Sequence, residues 1–253
     1  MRTLMVTIQK GGQGKTMLAV HVASYAARNG LKVLFLDLDM QGNSSWTLQR
    51  HSSGVLASDF VHNRFEKIPE VKDGISLVVG DAAMADADDW DKETVRDSYR
   101  EALRRCDPHF DLCVIDTPPT LGFAQSTTGL LASFVVAPVT MDWYSIQGLI
   151  KLQNIIANLM KQNRALKMIG IVPNCIDARK PRIMQALKDV QKAFAPNLVP
   201  YSIPMRDSIA EALADPEIVH VWASKRSAAT GAKKILAQVC AYILTAMDID
   251  KGD

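Results

Sequence analysis

Net charge is nearly absent from this sequence: 29 Lys plus Arg against 27 Asp plus Glu leave +2 over 253 residues. That excludes the bulk electrostatics of a histone-like or ribosomal protein and leaves local basic patches as the only route to a polyanion. Paired cysteines are lacking as well. Cys106, Cys113, Cys175 and Cys240 stand apart with no C-x-x-C spacing, which suits a reducing compartment and offers no zinc framework. The histidines, His21, His51, His62, His109 and His220, show no ligand spacing either. No leader opens the chain, because the apolar stretch within Met1–Gln9 is too short. The one long uncharged window, Thr117–Met141, is broken by Pro118, Pro119, Gly122 and Pro138 among polar residues, which lipid tolerates poorly. Repeats, low-complexity tracts and an interdomain linker are missing too. The expectation is a soluble, cytoplasmic protein with a single domain over residues 1–253.

What is present is an alternation of short apolar runs with amphipathic ones, in a chain that is 48% apolar and 22% charged. Buried strands are predicted at Thr3–Ile8, Lys32–Leu36, Ile75–Val79, Leu112–Ile115, Phe134–Pro138, Met168–Val172 and Leu198–Ile203. Helical periods fit Lys15–Asn29, Lys92–Cys106, Ser145–Gln162, Pro181–Phe194 and Ser227–Met247. Such a pattern predicts a doubly wound α/β fold, a mostly parallel sheet with helices on both faces and ligands at the carboxyl ends of the strands. The stretch from His51 to Trp90 is the least regular. Its Asp81, Asp86, Asp88 and Asp89, with Asp91 just beyond, read as a solvated loop and helix N-terminus, since the EF-hand spacing is missing.

Gln9-Lys10-Gly11-Gly12-Gln13-Gly14-Lys15-Thr16 follows the first strand and opens the first helix. Glycines let backbone N–H groups turn toward an anion, and the helix N-terminus adds partial positive charge. Lys15 is placed to reach terminal phosphates and the Thr16 hydroxyl to meet Mg2+, as in a P-loop, with Met17 completing the contacts. The usual pattern wants glycine at position 9; here Gln9 stands there, with Gly11, Gly12 and the additional Lys10 behind it. ATP or GTP binding is the reading. Asp116 ends an apolar strand before Thr117-Pro118-Pro119, where a carboxylate can hold magnesium through its water shell. Asp37 and Asp39 end another, and either could orient an attacking water or accept its proton.

The motif K-G-G-x-G-K-T resembles the deviant Walker A loop of the ParA/MinD family of P-loop ATPases. Leu36-Asp37-Leu38-Asp39-Met40-Gln41-Gly42-Asn43 resembles the family's D-x-D-P-Q-x-N segment, with Met40 in the proline's place. Phe110–Pro119 resembles its Walker B and switch, and Tyr144-Ser145-Ile146-Gln147-Gly148-Leu149 its Y-x-x-x-G-L helix start. Pro173-Asn174 and Ile203-Pro204, followed by Glu211-Ala212, resemble the segments that close around adenine. The likeness runs over roughly residues 3–240. It implies ATP with Mg2+, a homodimer formed around nucleotide, Lys10 crossing to the partner's phosphates, Asp39 rather than Asp37 at the water, and Asn174 and Pro204 at the base. Asn174 reads equally well as a turn residue after Pro173.

Within that family, MinD-like members end in a basic membrane helix, whereas this chain ends at Asp248-Ile249-Asp250, and no membrane partner is expected. Nitrogenase-reductase-like members need two cluster-holding cysteines, for which Cys175 and Cys240 are poorly placed. ParA-like members bind duplex DNA without sequence preference. Arg179, Lys180 and Arg182, the isolated Arg206, Lys225-Arg226 and Lys233-Lys234 supply basic groups for that role. Ser208 stands where relatives often carry arginine, and the early phosphate loop leaves no room for an N-terminal helix-turn-helix domain. The resemblance therefore implies a partition ATPase, slow without a ParB-like adaptor, cytoplasmic and associated with the nucleoid. Alternatives are a positioning ATPase that moves a protein cargo, and a DNA-coating scaffold with vestigial ATPase. Intact Lys10, Lys15, Asp39 and Asp116 argue against the latter.

Overall fold

The structure, a computed structural model, describes residues 1–120, 122–141 and 145–249. Its seven strands are β1 Arg2–Val6, β2 Val33–Asp37, β3 Ser52–Leu56, β4 Ile75–Val79, β5 Leu112–Asp116, β6 Phe134–Thr140 and β7 Lys167–Asn174. They form one sheet in the order β3-β4-β2-β5-β1-β6-β7, with every pair parallel. The helices are α1 Lys15–Arg28, α2 Asn43–Thr47, α3 Ala57–Val61, α4 Lys92–Cys106, α5 Phe123–Leu131, α6 Ser145–Gln162, α7 Pro181–Phe194, α8 Asp207–Ala214 and α9 Thr230–Ala246.

Alternation along the central strands shows why the sheet must be covered twice. Leu4 and Val6 of β1, Val33 and Phe35 of β2, and Leu112 and Val114 of β5 bury into one core with α1 and α9. Their neighbours Leu34, Leu36, Cys113 and Ile115 bury on the opposite face with α3, α4 and α5. Met5 faces a third cluster, built by α6 and α7 over β6 and β7. No residue of β2 or β5 reaches solvent, and both runs are apolar up to the aspartate that ends each strand. This is the doubly wound P-loop NTPase architecture.

Two expectations need correction. Residues Leu198–Ile203 are not a strand. They run beside β7, where Val199 donates to Ile171 O at 2.9 Å and Ile203 to Pro173 O at 2.8 Å, but Pro200 and Pro204 have no N–H to continue a ladder. The stretch His51–Trp90 holds more order than its pattern suggests, including β3 and α3. Helix α5 lies inside the uncharged window, where polar and apolar positions do not contrast, and α8 follows the segment Pro204–Arg206. The helix start at Tyr144 lies outside the described residues, as does Asp250. No described helix is long and apolar enough to cross a membrane.

Candidate active site

Every element of the site emerges at the carboxyl edge of the sheet. The phosphate loop leaves β1 and enters α1 through Gly14, at φ 94°, with no side chain capping the helix. Its first-turn N–H groups therefore remain available to an anion. Gly14 is required twice over: its φ favours glycine, and a Cβ there would run into the Asn174 amide nitrogen.

The loop is braced from behind by the ends of β6 and β7. Gln13 is buried; its Oε1 accepts from Thr140 N at 3.0 Å and Thr140 Oγ1 at 2.9 Å. Asn174, paired in register with Thr140, donates from Nδ2 to Gln13 O at 2.8 Å. Only 2% of Asn174 is exposed, and its Oδ1 is buried without a protein partner. Its amide nitrogen is thus engaged by the loop backbone.

Lys15, Thr16, Asp39 and Pro119 line one cleft of about 450 Å³ together with Gly11, Gly12, Gly14, Gln41 and Asn43. Lys15 is 8% exposed. Burial lowers its pKa, while the charges of Asp116 and Asp39 push in the opposite direction. Thr16 Oγ1 donates to Asp116 Oδ2 at 2.7 Å and Ser44 Oγ to the same oxygen at 3.1 Å. Asp116 Oδ1 is buried with no partner. Desolvation, then the charge of Asp37, raises the Asp116 carboxyl to about 7. An unpartnered carboxylate oxygen beside a threonine hydroxyl is the donor set a hard divalent cation takes.

The two aspartates at the end of β2 part company. Asp37 is fully buried, and its Oδ2 accepts from Ser45 N at 2.8 Å and Ser45 Oγ at 2.6 Å. Its Oδ1 accepts from Asp39 N at 3.2 Å. Asp37 is therefore a brace for α2 and for the Asp39 segment, whereas Asp39 lines the cleft. Ser44 and Ser45, which no motif singled out, complete this brace; their one sequence signal is their place directly after Asn43.

Lys10 stands exposed at the mouth of the loop. A second cavity, about 330 Å³, lies between Ile176–Arg179 and Pro204–Asp207, which brings Pro204 and Arg206 together with the end of β7. The basic residues are unequal. Lys180 and Arg182, at the start of α7, and Lys225 and Lys234 are exposed. Arg226 is ion-paired with Glu211, and the Lys233 ammonium donates to Ser224 O at 2.7 Å. Arg179 is paired with Asp177. Sequence reading missed one pairing of charges that forms only in space: the exposed Arg28 and Arg50 both act on the half-buried His220.

With this geometry in view, the comparisons with known proteins decide the family. The family described as "AAA domain" matches residues 1–168. Protein IncC of Escherichia coli is 39% identical over 98% of this chain and 70% of its own length. The chromosome-partitioning ATPase Soj of Thermus thermophilus is 31% identical over 83% of this chain and 84% of its own. The chain belongs to the ParA/MinD family of P-loop ATPases, among its ParA-type partition proteins. Solved structures agree on the fold. The Cyanothece McdA–ATP complex superposes with TM-score 0.83 at 20% identity, covering 100% of this chain and 98% of that one. A plasmid partition protein from Borrelia burgdorferi B31 bound to AMPPNP gives 0.79 at 16% identity, covering 96% and 98%.

Proposed function

We propose that this ParA-type chain is a DNA partition ATPase in which ATP with Mg2+ joins two copies, the dimer binds duplex DNA without sequence preference, and hydrolysis stimulated by a ParB-like adaptor releases it. One observation carries the reading: Lys15, Thr16–Asp116 and Asp39 converge on a single cleft at the carboxyl edge of the sheet. The partition names of its relatives and the nucleotide-bound structures of its fold neighbours support it.

In this reading the loop N–H groups and Lys15 hold the terminal phosphates, while Thr16, and Asp116 through the ion's water shell, would hold magnesium. Mg2+ supplies positive charge to the phosphoryl oxygens when bound. Asp39 orients a water toward the γ-phosphorus and takes its proton as the bond to ADP breaks. Lys10 reaches the partner's nucleotide, where its charge meets the charge developing on the transferred group. Pro204 serves the base, and Asn174 braces the loop through the Gln13 carbonyl. The whole chain works as one domain, in the cytoplasm and on the nucleoid.

Calorimetric titration and turnover assays on two variants test the assignment. Lys15→Ala removes the charge on the terminal phosphates and is expected to weaken ATP binding by ~2–5 kcal/mol. Asp39→Ala is expected to retain ATP and lose turnover. A Lys15→Ala protein with parental ATP affinity would sink the nucleotide site, whereas normal turnover in Asp39→Ala would return the water to another residue.

A further inference from the structure

The segment Asp81–Asp91 carries five aspartates, and three of them cap helices. Asp81 accepts from Ser58 N at 2.9 Å and Ser58 Oγ at 2.8 Å at the start of α3. Asp91 accepts from Thr94 N at 2.9 Å at the start of α4. Asp88 accepts from the backbone N–H of Phe123, the first residue of α5.

Asp91 caps the helix whose N-cap it is, whereas Asp81 and Asp88 reach helices remote from them in sequence, and Asp88 is the one that serves α5. A helix usually takes its cap from its own N-cap side chain, but the N-cap of α5 is Gly122, which has none to offer. The cap comes instead from a residue 35 positions earlier. The space is reserved for it, since a Cβ on Gly122 would fall on the Asp88 carboxylate. Gly122 sits at φ −69°, so glycine is required there for room and not for conformation. Trp90 completes the clasp, edge-on to Phe123 at 5.6 Å and to His62 at 4.5 Å, while Met84 and Ala87 root the segment in the core.

Helix α5 begins shortly after Asp116, and the prolines between them form a wall of the site. Pro119 lines the phosphate cleft with Lys15 and Asp39. On its other side Pro118, Pro119 and Phe123 line a groove of about 290 Å³ with Met40, Met84 and Asp88. We propose that Asp88 is a positioning residue for hydrolysis: by capping α5 in place of Gly122, it holds the Pro118–Pro119 wall opposite Asp39. This rests on the ATPase reading above. The phosphate loop, braced separately by Thr140 and Asn174, binds nucleotide whether or not the clasp is closed. The clasp therefore acts on turnover rather than on affinity.

The test measures steady-state kinetics and amide hydrogen exchange in the full chain for Asp88→Ala, Asp88→Asn and Gly122→Ala, with thermal unfolding as a check on folding. Asp88→Ala is expected to lower kcat about tenfold with KM for ATP within about twofold. It should also speed exchange of the first-turn amides of α5 about tenfold. Gly122→Ala should reproduce both effects by displacing the carboxylate. Asp88→Asn keeps an acceptor oxygen and should recover to within about twofold of the parent. Unchanged kcat in Asp88→Ala, equal losses in kcat and affinity, or an Asp88→Asn protein no better than Asp88→Ala would each overturn the proposal. A parent chain that binds ATP without turning it over would overturn the ATPase reading itself, and the parent's rate tells the two failures apart.

Discussion

At the scale of single residues, burial sets the protonation of several groups in this molecule. His21 is the clearest case away from the cleft. It is fully buried in α1, and its Nδ1 bonds Met17 O at 2.8 Å while its Nε2 accepts from Val221 N at 3.2 Å. A carbonyl on one side and an N–H on the other fix the neutral ring with its proton on Nδ1. Burial lowers its pKa to about 4, with the charge of His220 a lesser cause in the same direction. The unfolded chain takes up this proton near pH 6.5, and the folded chain does so only near 4, so stability falls as pH drops through that window. Each pH unit in the window is worth about 1.4 kcal/mol from this one group. Urea unfolding at pH 7 and at pH 5 checks the sign. His21→Gln is expected to be less stable than the parent at pH 7 and to lose less on acidification. Half-buried His220, also lowered to about 4 by burial and then by Arg28, leaves the variant a residual pH dependence.

At the scale of elements, the strand ends do the positioning. β6 and β7 brace the phosphate loop through Thr140 and Asn174; β2 and β5 end side by side at Asp37 and Asp116. Asn174 allows its two roles to be separated. As a brace, its loss frees the Gln13 carbonyl and loosens the loop for any polyphosphate. As a base contact, its loss matters only to ATP. The geometry favours the brace, so Asn174→Ala is expected to weaken ATP and inorganic tripolyphosphate alike, by about tenfold, the scale of one buried hydrogen bond. Isothermal titration with both ligands decides it, and a loss confined to ATP would move Asn174 to the base.

Much of this was legible in the residues. β2 and β5 are buried on both faces and so read as apolar runs up to the aspartate that ends each; α4, α6 and α7 carry clear helical periods, and their bounds agree with the pattern. Lys15, Asp39 and Asp116 were readable because the phosphate loop and the strand ends are local sequence features. β3, Ser-Ser-Gly-Val-Leu, was not, since a half-exposed edge strand has no apolar run to show. Ser44, Ser45, the Asp88 cap and the bracing side of Gln13, which the loop motif places only at the phosphates, escaped for a deeper reason. Their work is done through hydrogen bonds to residues remote in sequence, and periodicity carries no trace of such pairs.

At the scale of the whole molecule, a net charge of +2 has to be reconciled with the polyanionic partner proposed here, and the distribution of charge does this better than its sum. Arg226 is engaged by Glu211, Arg179 by Asp177 and Lys233 by a backbone carbonyl; Lys180, Arg182, Arg206, Lys225 and Lys234 lie exposed on the surface. Exposed Arg28 and Arg50, which both act on His220, add two further positive charges. On the proposed reading, dimerisation around ATP would double whatever each copy presents, so DNA binding is expected with ATP and not with ADP. With about 4–6 phosphates neutralised per dimer, the slope of log K against log salt should be roughly −4 to −5. Replacing Lys180 with Arg182, or Lys225 with Lys234, by alanine should flatten it by about 1–2 units at every sequence tested. Lys225→Ala with Arg226→Ala should flatten it less, because Arg226 is already neutralised by Glu211. Lys10→Ala should lose the ATP-dependent dimer and with it the DNA affinity, while its monomer still binds ATP. The measurement is a salt series on unrelated duplexes with ATP, with ADP and without nucleotide, with light scattering to report the dimer. An ATP-bound dimer that ignores DNA at low salt would leave the nucleotide chemistry standing and assign its work to moving a protein cargo.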